Sequence, residues 1–219
     1  MAERLAWTSD PDAQRRTATR AAEVLRAGGL VIFPTDTVYG LGALPSIPRA
    51  VQRIYEVKGR PDEKAIVWLV DSIDAARAWC HVDARAEALA QRFWPGALTL
   101  VLRRLATPAG SLGTLGVRVP AHPAALAILH AVGGPVATTS ANRSGEPAAR
   151  TAGEAEARLA QWVDLIIDGG PAPGGIESTV VDLSTDPATL LRAGAIAPGA
   201  LESGVGVSLR RVNPATRSP

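Results

Sequence analysis

The fold can be worked out from one stretch of sequence, Leu30-Val-Ile-Phe-Pro-Thr-Asp-Thr-Val-Tyr-Gly-Leu-Gly42. Residues 30–33 are all apolar and Pro34 ends the run, which predicts a short buried strand. Residues 35–42 are polar and interrupted by glycine, and they predict a loop that leaves the carboxyl end of that strand. In an open α/β sheet, loops at this position form the binding crevice.

Helices and strands alternate on both sides of this stretch. The predicted helices cover residues 15–26, 46–55, 73–79, 84–93, 123–130 and 151–162. The other predicted strands cover residues 65–70, 97–102, 116–120, 136–139, 165–168, 178–183 and 189–192. A charged loop is predicted over 58–64, and a glycine-rich hinge over 169–175. The alternation predicts an α/β fold, and the close spacing of the last two strands predicts that its mixed sheet has an antiparallel portion.

Composition limits the class of protein. The 219 residues are 47% hydrophobic and 20% charged, which predicts one folded domain over residues 1–202 and a poorly patterned tail over 203–219. The single cysteine, Cys80, excludes a disulfide scaffold and a cysteine-based metal site, and we expect it to be a small buried residue. The first residues lack a signal-peptide pattern, and no apolar run is long enough to span a bilayer. We therefore expect a cytoplasmic protein that does not contact a membrane.

Several common catalytic motifs are absent from the sequence. A phosphate-binding P-loop needs glycine directly before its lysine, whereas Lys58 follows Val57 and Lys64 follows Glu63. No G-x-G-x-x-G, H-E-x-x-H or G-x-S-x-G motif is present. The net charge of +2 permits an anionic ligand but does not by itself indicate nucleic-acid binding. What remains is a set of polar loops at strand ends.

Basic residues and hydroxyls concentrate in those loops. The only two lysines, Lys58 and Lys64, lie in one segment. One interpretation is that this segment needs a compact ammonium, which a planar guanidinium cannot replace. The alternative interpretation is chance clustering in an exposed loop. The cations of these loops together carry enough charge to neutralise a triphosphate: Lys58, Arg60, Lys64, Arg118, Arg150 and Arg192. Ser140 and Asn142 add a hydroxyl and an amide. This inventory favours a displacement at phosphorus, in which positioning and charge stabilisation do most of the work.

Simpler structural roles remain open for some of these residues. Thr35 and Thr37 are also typical turn residues. Ser140-Ala-Asn142 is also typical of a helix N-cap, and Arg150 could cap charge on the helix that follows it. The tryptophans are expected in the core or between helix and sheet rather than as platforms for bases.

Seven motifs in order resemble the YrdC/Sua5 family of L-threonylcarbamoyladenylate synthases. They are Pro34-Thr-Asp-Thr-Val-Tyr-Gly-Leu-Gly42, Lys58-Gly-Arg-Pro61, Trp94-Pro-Gly96, Arg118-Val-Pro120, Ser140-Ala-Asn142, Glu177-Ser-Thr179 and Leu191-Arg-Ala-Gly194. The resemblance runs from about Ala13 to Ile196 and is to the short form of the family. It implies a twisted α/β sheet with a basic concave face. It also implies a reaction in which L-threonine, bicarbonate or CO2, and ATP give threonylcarbamoyl-AMP and diphosphate, with Mg²⁺ assisting.

The resemblance also implies roles for individual residues. L-Threonine would be held by Thr37, Arg118, Ser140 and Ser178. ATP would be held by Lys58, Arg60, Lys64, Asn142, Arg150 and Arg192, with Lys58 and Arg60 as the catalytic pair at the phosphates. Mg²⁺ would come with ATP rather than on a protein site.

Two positions depart from the family pattern. Leu69 stands where some relatives have a threonine-contacting histidine, and Ala193 stands where a proline is usual. The product would pass to a transferase that modifies adenosine 37 of tRNA (t6A37), and weak RNA binding is a further expectation. Two alternatives remain at this point, namely a YciO-type paralogue and a module that binds tRNA or double-stranded RNA.

Overall fold

The computed structural model describes residues 2–59, 66–105, 113–205 and 209–211, and within them eleven strands form one sheet. The strands are β1 (Glu3–Ala6), β2 (Val31–Phe33), β3 (Gly40–Ala43), β4 (Val67–Leu69), β5 (Leu98–Arg103), β6 (Thr114–Arg118), β7 (Val136–Ser140), β8 (Leu165–Asp168), β9 (Thr179–Asp182), β10 (Ala188–Arg192) and β11 (Leu209–Arg211). The helices are α1 (Pro11–Arg26), α2 (Pro48–Lys58), α3 (Ile73–Arg77), α4 (Ala84–Phe93), α5 (Pro123–Val132), α6 (Ala152–Leu159) and α7 (Pro198–Val205).

The sheet is mixed, as the alternation of helices and strands predicts. Its strand order is β1-β8-β2-β3-β7-β4-β6-β5-β9-β10-β11. Parallel pairs are β1 with β8, β8 with β2, β4 with β6, β5 with β9 and β10 with β11. Antiparallel pairs are β2 with β3, β3 with β7, β7 with β4 and β6 with β5, and the predicted pair β9 and β10 is antiparallel as well. This architecture brings the loop after β2 and the ends of β6 and β7 into one region.

Helices cover the two faces of the sheet unequally. On one face of the sheet, α2 and α6 pack through residues such as Ile54 and Leu159. Further along the same face, α4 and α7 pack through Leu89 and Leu201. On the other face α1 and α5 bury a third cluster that includes Val136. Each fully buried Leu, Ile or Phe contributes roughly 1.5–3 kcal/mol relative to exposure. No helix of the described ranges is both long and apolar enough to cross a membrane.

Helix ends follow local sequence signals. Ser72, Asp83 and Thr151 each accept a hydrogen bond from a backbone N–H in the first turn of α3, α4 and α6. Helix α2 begins at Pro48 without a side-chain cap, so the expected start at Ser46 is wrong. Gly59 ends α2 in the left-handed conformation with φ 60°, which is favourable for glycine. Lys58 therefore lies in the last turn of a helix and not in the predicted loop.

Some sequence-based boundaries differ from the structure. The predicted loop over 35–42 is wrong in its second half, because Gly40–Ala43 forms β3 between β2 and β7. Strand β1 and helix α7 were not predicted. Residues 203–205 and 209–211, which were expected in a poorly patterned tail, form the end of α7 and strand β11. Cys80 is buried as expected, and burial raises the pKa of its thiol to about 11.

Candidate functional site

A cavity of about 170 Å³ lies on the sheet face that α1 and α5 leave accessible. Because side chains alternate along a strand, Thr138 and Ser140 of β7 share the face of Val136 and extend it beyond the helices. The cavity is lined by Thr35, Thr37, Val38, Tyr39, Gly40, Val67, Leu69, Thr99, Arg118, Thr138, Thr139, Ser140, Glu177, Ser178 and Arg192. Its size is below that of a pocket for a drug-sized molecule and suits an amino acid.

The loop after β2 presents the hydroxyl of Thr37 to this cavity. The hydroxyl of Thr35 donates to the carbonyl of Val38 at 2.6 Å and accepts from the N–H of Thr37 at 3.2 Å. It also lies 3.0 Å from the hydroxyl of Thr37. Thr35 is therefore a turn residue, as one interpretation of the sequence held, and this turn fixes the position of Thr37.

Arg118, at the end of β6, places a buried guanidinium at the wall of the cavity. Its Nε donates to the carbonyl of Gly96 at 2.8 Å, its Nη1 to Thr37 Oγ1 at 2.9 Å and its Nη2 to Asp36 Oδ1 at 2.6 Å. Burial lowers the pKa of Arg118, and the neighbouring Arg192 lowers it further, whereas the charge of Asp36 opposes the change. A guanidinium has five N–H groups. Among the described residues, the three bonds use one N–H each, so one N–H on each terminal nitrogen is left for an anion.

A second polar group surrounds Ser178, which lies just before β9. The hydroxyls of Ser178 and Thr99 are 2.8 Å apart. Arg192 at the end of β10 donates to the carbonyl of Ser178 and to its Oγ, both at 3.1 Å, and pairs with Glu177 at 3.1 Å. Gly194 makes this packing possible, because a Cβ there would lie 2.4 Å from the carbonyl oxygen of Glu177. This contact accounts for the glycine of the Leu191-Arg-Ala-Gly194 motif.

Lys58, Ser140 and Asn142 form a third group at the edge of the cavity. The ammonium of Lys58 donates to the carbonyl of Ser140 at 2.7 Å and to Asn142 Oδ1 at 2.8 Å, and it lies 3.4 Å from the hydroxyl of Ser140. Lys58 is 3% exposed. The amide of Asn142 donates to the carbonyls of Arg143 and Glu146. After β7 ends at Ser140, the next helix begins only at Ala152, so the interpretation of Ser140-Ala-Asn142 as a helix N-cap is wrong.

The glycine-rich segment 169–175 is held against the cavity by backbone bonds. The N–H groups of Gly174 and Gly175 donate to the carbonyls of Asp36 and Thr37. The buried hydroxyl of Tyr39 donates to the carbonyl of Gly170 at 2.6 Å and accepts from the N–H of Gly169 at 3.2 Å. Burial raises the pKa of Tyr39, so this hydroxyl keeps its proton at neutral pH. Whether the segment acts as a hinge stays a prediction.

The structure brings most, but not all, of the predicted site residues together. Thr37, Arg118, Ser140, Ser178 and Arg192 line the cavity, and Lys58 and Asn142 join it through Ser140. Arg60 and Lys64 lie outside the described residues.

Arg150 is exposed and does not line the cavity. Its guanidinium lies against Gly175, where a Cβ would come within 2.7 Å of it. The N–H of Arg150 donates to Glu154 in the first turn of α6. Its local contacts are therefore with the glycine-rich segment and with the start of that helix.

Sequence reasoning missed several polar residues of the site, namely Asp36, Thr99, Thr138, Thr139 and Glu177. Thr99 could have been found, because it is the polar member of the otherwise apolar run Leu98-Thr-Leu-Val-Leu102. Asp36 and Glu177 stand in quoted motifs, and each forms an ion pair with an arginine of the site, Arg118 and Arg192 respectively. Leu69 does line the cavity, so this position, where the resemblance implies a histidine in some relatives, presents an apolar side chain to the site.

A family model described as Telomere recombination, which groups Sua5, YciO and YrdC, matches residues 23–194. The chain belongs to the Sua5/YciO/YrdC family. The matched segment contains every residue of the cavity wall and the cluster at its edge.

Relatives and solved structures of the Sua5/YciO/YrdC family support this assignment. A threonylcarbamoyl-AMP synthase of Pyrococcus abyssi is 40% identical over 200 residues, 89% of this chain and 58% of the relative. The structure of P. abyssi Sua5 complexed with L-threonine has a TM-score of 0.87 at 36% identity and covers 96% of this chain and 62% of that one. The structure of E. coli YciO has a TM-score of 0.81 at 31% identity, covering 89% of this chain and 96% of that one. The chain thus spans less than two thirds of the first two relatives.

Proposed function

We propose that this chain is an L-threonylcarbamoyladenylate synthase, which forms threonylcarbamoyl-AMP and diphosphate from L-threonine, bicarbonate or CO2, and ATP. The observation that carries the proposal is a small cavity in which a buried guanidinium faces several hydroxyls, with the Lys58 cluster at its edge. Relatives at about 40% identity bear the same activity in their names, and a family structure holds L-threonine.

In this proposal the cavity holds the amino acid. The carboxylate of threonine pairs with the two remaining N–H groups of Arg118, because a bidentate arginine–carboxylate pair is the strong form of this interaction. Thr37, Ser140 and Ser178 offer hydroxyls to the polar groups of the substrate. Val67 and Leu69, on one face of β4, supply an apolar wall beside them.

ATP is proposed to bind across the edge of the cavity. Three described residues support this proposal, because they contact serines that line the cavity or belong to the same cluster. Lys58 bonds to Ser140 and Asn142, and Arg192 bonds to Ser178. We also assign Arg60, Lys64 and Arg150 to ATP binding, because the resemblance to the family implies this role for them. Lys58 and Arg60 are the proposed catalytic pair, because fixed positive charge at the phosphates stabilises the charge that develops in the transition state.

The chemistry needs no protein nucleophile. The amine of threonine attacks the carbon of CO2 and loses a proton, which gives a carbamate. An oxygen of that carbamate attacks the α-phosphorus of ATP, a P–O bond to the β-phosphate breaks, and diphosphate leaves. The protein contributes orientation of the two substrates and positive charge, which are the main sources of catalysis in displacements at phosphorus.

Mg²⁺ is proposed to enter with ATP, held by the phosphate oxygens. The two carboxylates at the cavity, Asp36 and Glu177, are already ion-paired with Arg118 and Arg192. Within the described ranges, no group of three or more His, Cys, Asp and Glu residues is arranged to hold a metal ion. The product is proposed to pass to a transferase that modifies adenosine 37 of tRNA, within the cytoplasm.

One experiment tests the proposal directly. The protein is incubated with ATP, Mg²⁺, bicarbonate and one amino acid at a time, while diphosphate release is followed and the acyl-adenylate is detected by mass spectrometry. We expect both signals with threonine and bicarbonate together. Diphosphate at the level of the no-threonine blank would show that the chain is not this synthase. Strongly salt-dependent RNA binding without such turnover would favour the RNA-binding alternative instead.

A further inference from the structure

Asp36 lies beneath the cavity and joins three segments of the chain. Its Oδ1 accepts from Arg118 Nη2 at 2.6 Å and from the backbone N–H of Ala121 at 2.9 Å. Its backbone carbonyl accepts from the N–H of Gly174. The side chains of Asp36 and Arg118 are only 13% and 7% exposed, so this pair is largely shielded from water.

We propose that Asp36 is a positioning residue, which holds the guanidinium of Arg118 in the one orientation that offers two N–H groups to a carboxylate in the cavity. This inference rests on the proposed function for the identity of the ligand. Asp36 is not among the cavity-lining residues, so it acts through Arg118 and not by touching the substrate.

The orientation of Arg118 is fixed from three directions. Gly96 holds Nε, Thr37 holds Nη1 and Asp36 holds Nη2, and the carboxylate of Asp36 is itself held by Ala121. The bond to Asp36 is the shortest of the three and the only one to a charged acceptor, and charge-assisted bonds are the stronger kind. Without it, the planar group would keep only two neutral acceptors, the carbonyl of Gly96 at Nε and the hydroxyl of Thr37 at Nη1, and could rotate out of the cavity wall.

Charge and position can be separated by two substitutions at Asp36. Asp36→Asn keeps an acceptor oxygen in place but removes the charge. Asp36→Glu keeps the charge but moves the oxygens by one methylene, away from Nη2 and the N–H of Ala121. A positioning role predicts that Asp36→Glu is the more harmful change, whereas a role as counter-charge alone predicts the reverse.

The test measures recognition of the substrate carboxylate separately from stability. Calorimetry gives the dissociation constants of L-threonine and L-threoninamide, which lacks the carboxylate, and their ratio reports the Arg118 contact. We expect wild type to prefer threonine by at least about tenfold. The preference should fall about tenfold in Asp36→Glu and about threefold in Asp36→Asn. The KM for threonine should rise in the same order while the KM for ATP stays within about twofold.

Asp164→Asn is the matched control. Asp164 also accepts from an arginine, Arg53, and from a backbone N–H, that of Leu30, but it lies away from the cavity. The control should lose stability and keep the ligand ratio.

The outcomes separate the two proposals. The positioning role would be overturned if Asp36→Glu kept the wild-type ratio of the dissociation constants for threonine and threoninamide. It would equally be overturned if Asp36→Glu only lost stability, as Asp164→Asn does, with that ratio unchanged. If Asp36→Glu does not fold, Asp36→Asn decides, and an unchanged ratio there overturns the role. Failure of wild type to bind threonine would instead overturn the proposed function, and this inference with it.

Discussion

The buried ammonium of Lys58 allows the sharpest test of the site. Two substitutions separate its charge from its shape, Lys58→Met and Lys58→Arg. Methionine keeps an unbranched stem without the charge, and arginine keeps the charge but presents a planar fork on a longer stem. Lys58 is 3% exposed and donates to Ser140 and Asn142 within 2.8 Å, so the surroundings leave little room for a different geometry.

The expected size of the effect follows from these bonds. A buried acceptor that loses its donor costs about 1–3 kcal/mol, and Lys58→Met leaves two of them, the carbonyl of Ser140 and Oδ1 of Asn142. The desolvation cost of the ammonium is removed at the same time, so we expect a net loss of about 2–3 kcal/mol in the free energy of unfolding. The kcat for diphosphate release should fall about 100–1,000-fold, as when a preorganised donor to a transition state is removed.

Lys58→Arg provides the result that would refute this reasoning. We expect kcat to fall at least about tenfold, because the fork cannot place its donors on both acceptors and the phosphates together. Arg53→Met on the same helix is the control, since Arg53 bonds the carbonyls of Gly28 and Trp162 far from the cavity. It should lose stability, measured by urea unfolding, with kcat within about twofold. If Lys58→Arg kept kcat within about twofold of wild type, the ammonium would have no special place in the site.

Three further substitutions have definite expected results. Tyr39→Phe removes two hydrogen bonds to the glycine-rich segment and should cost about 1–3 kcal/mol in urea unfolding; a loss below about 0.5 kcal/mol would contradict the importance of that clamp. Gly194→Ala places a Cβ 2.5 Å from the carbonyl carbon of Ser178, so it should weaken threonine binding severalfold by calorimetry, and unchanged affinity would show that this backbone can yield. The hydrogen bond from Arg4 holds the pKa of Asp168 below its usual 3.8, so this pair stabilises the fold above about pH 4 and its contribution is lost as the pH falls further. Arg4→Met should therefore flatten the dependence of the unfolding midpoint on pH below about 4, and a wild-type slope would contradict the assignment.

Much of the fold could be predicted because its buried strands and amphipathic helices leave clear patterns. Strand β3 could not, since two of the four residues of Gly40–Ala43 are glycines, which disfavour strands. The structure explains them: a Cβ on Gly40 would lie 2.9 Å from Thr138, and one on Gly42 would lie 2.8 Å from Phe33. The requirement for glycine is a property of the assembled sheet and is not visible in the local sequence.

The site was predictable where a residue offers its own group to the cavity. Thr37, Arg118 and Ser178 stand at strand ends within recognisable motifs, and the structure places them around one cavity. Asp36 and Glu177 were missed because each contributes by pairing with an arginine that is distant in sequence. Asp36 pairs with Arg118, more than 80 residues away, and Glu177 pairs with Arg192, 15 residues away. Such pairings depend on strand order, which propensity and periodicity do not contain.

The strand order also bears on how the chain matures. The cavity wall draws on residues from Thr35 to Arg192, and Arg118 reaches Thr37 across a sequence separation of 81. A growing polypeptide must therefore extend past β10 before the wall is complete. Since a ligand stabilises only those states that bind it, substrate can protect the finished molecule but gives no help to the partly synthesised one.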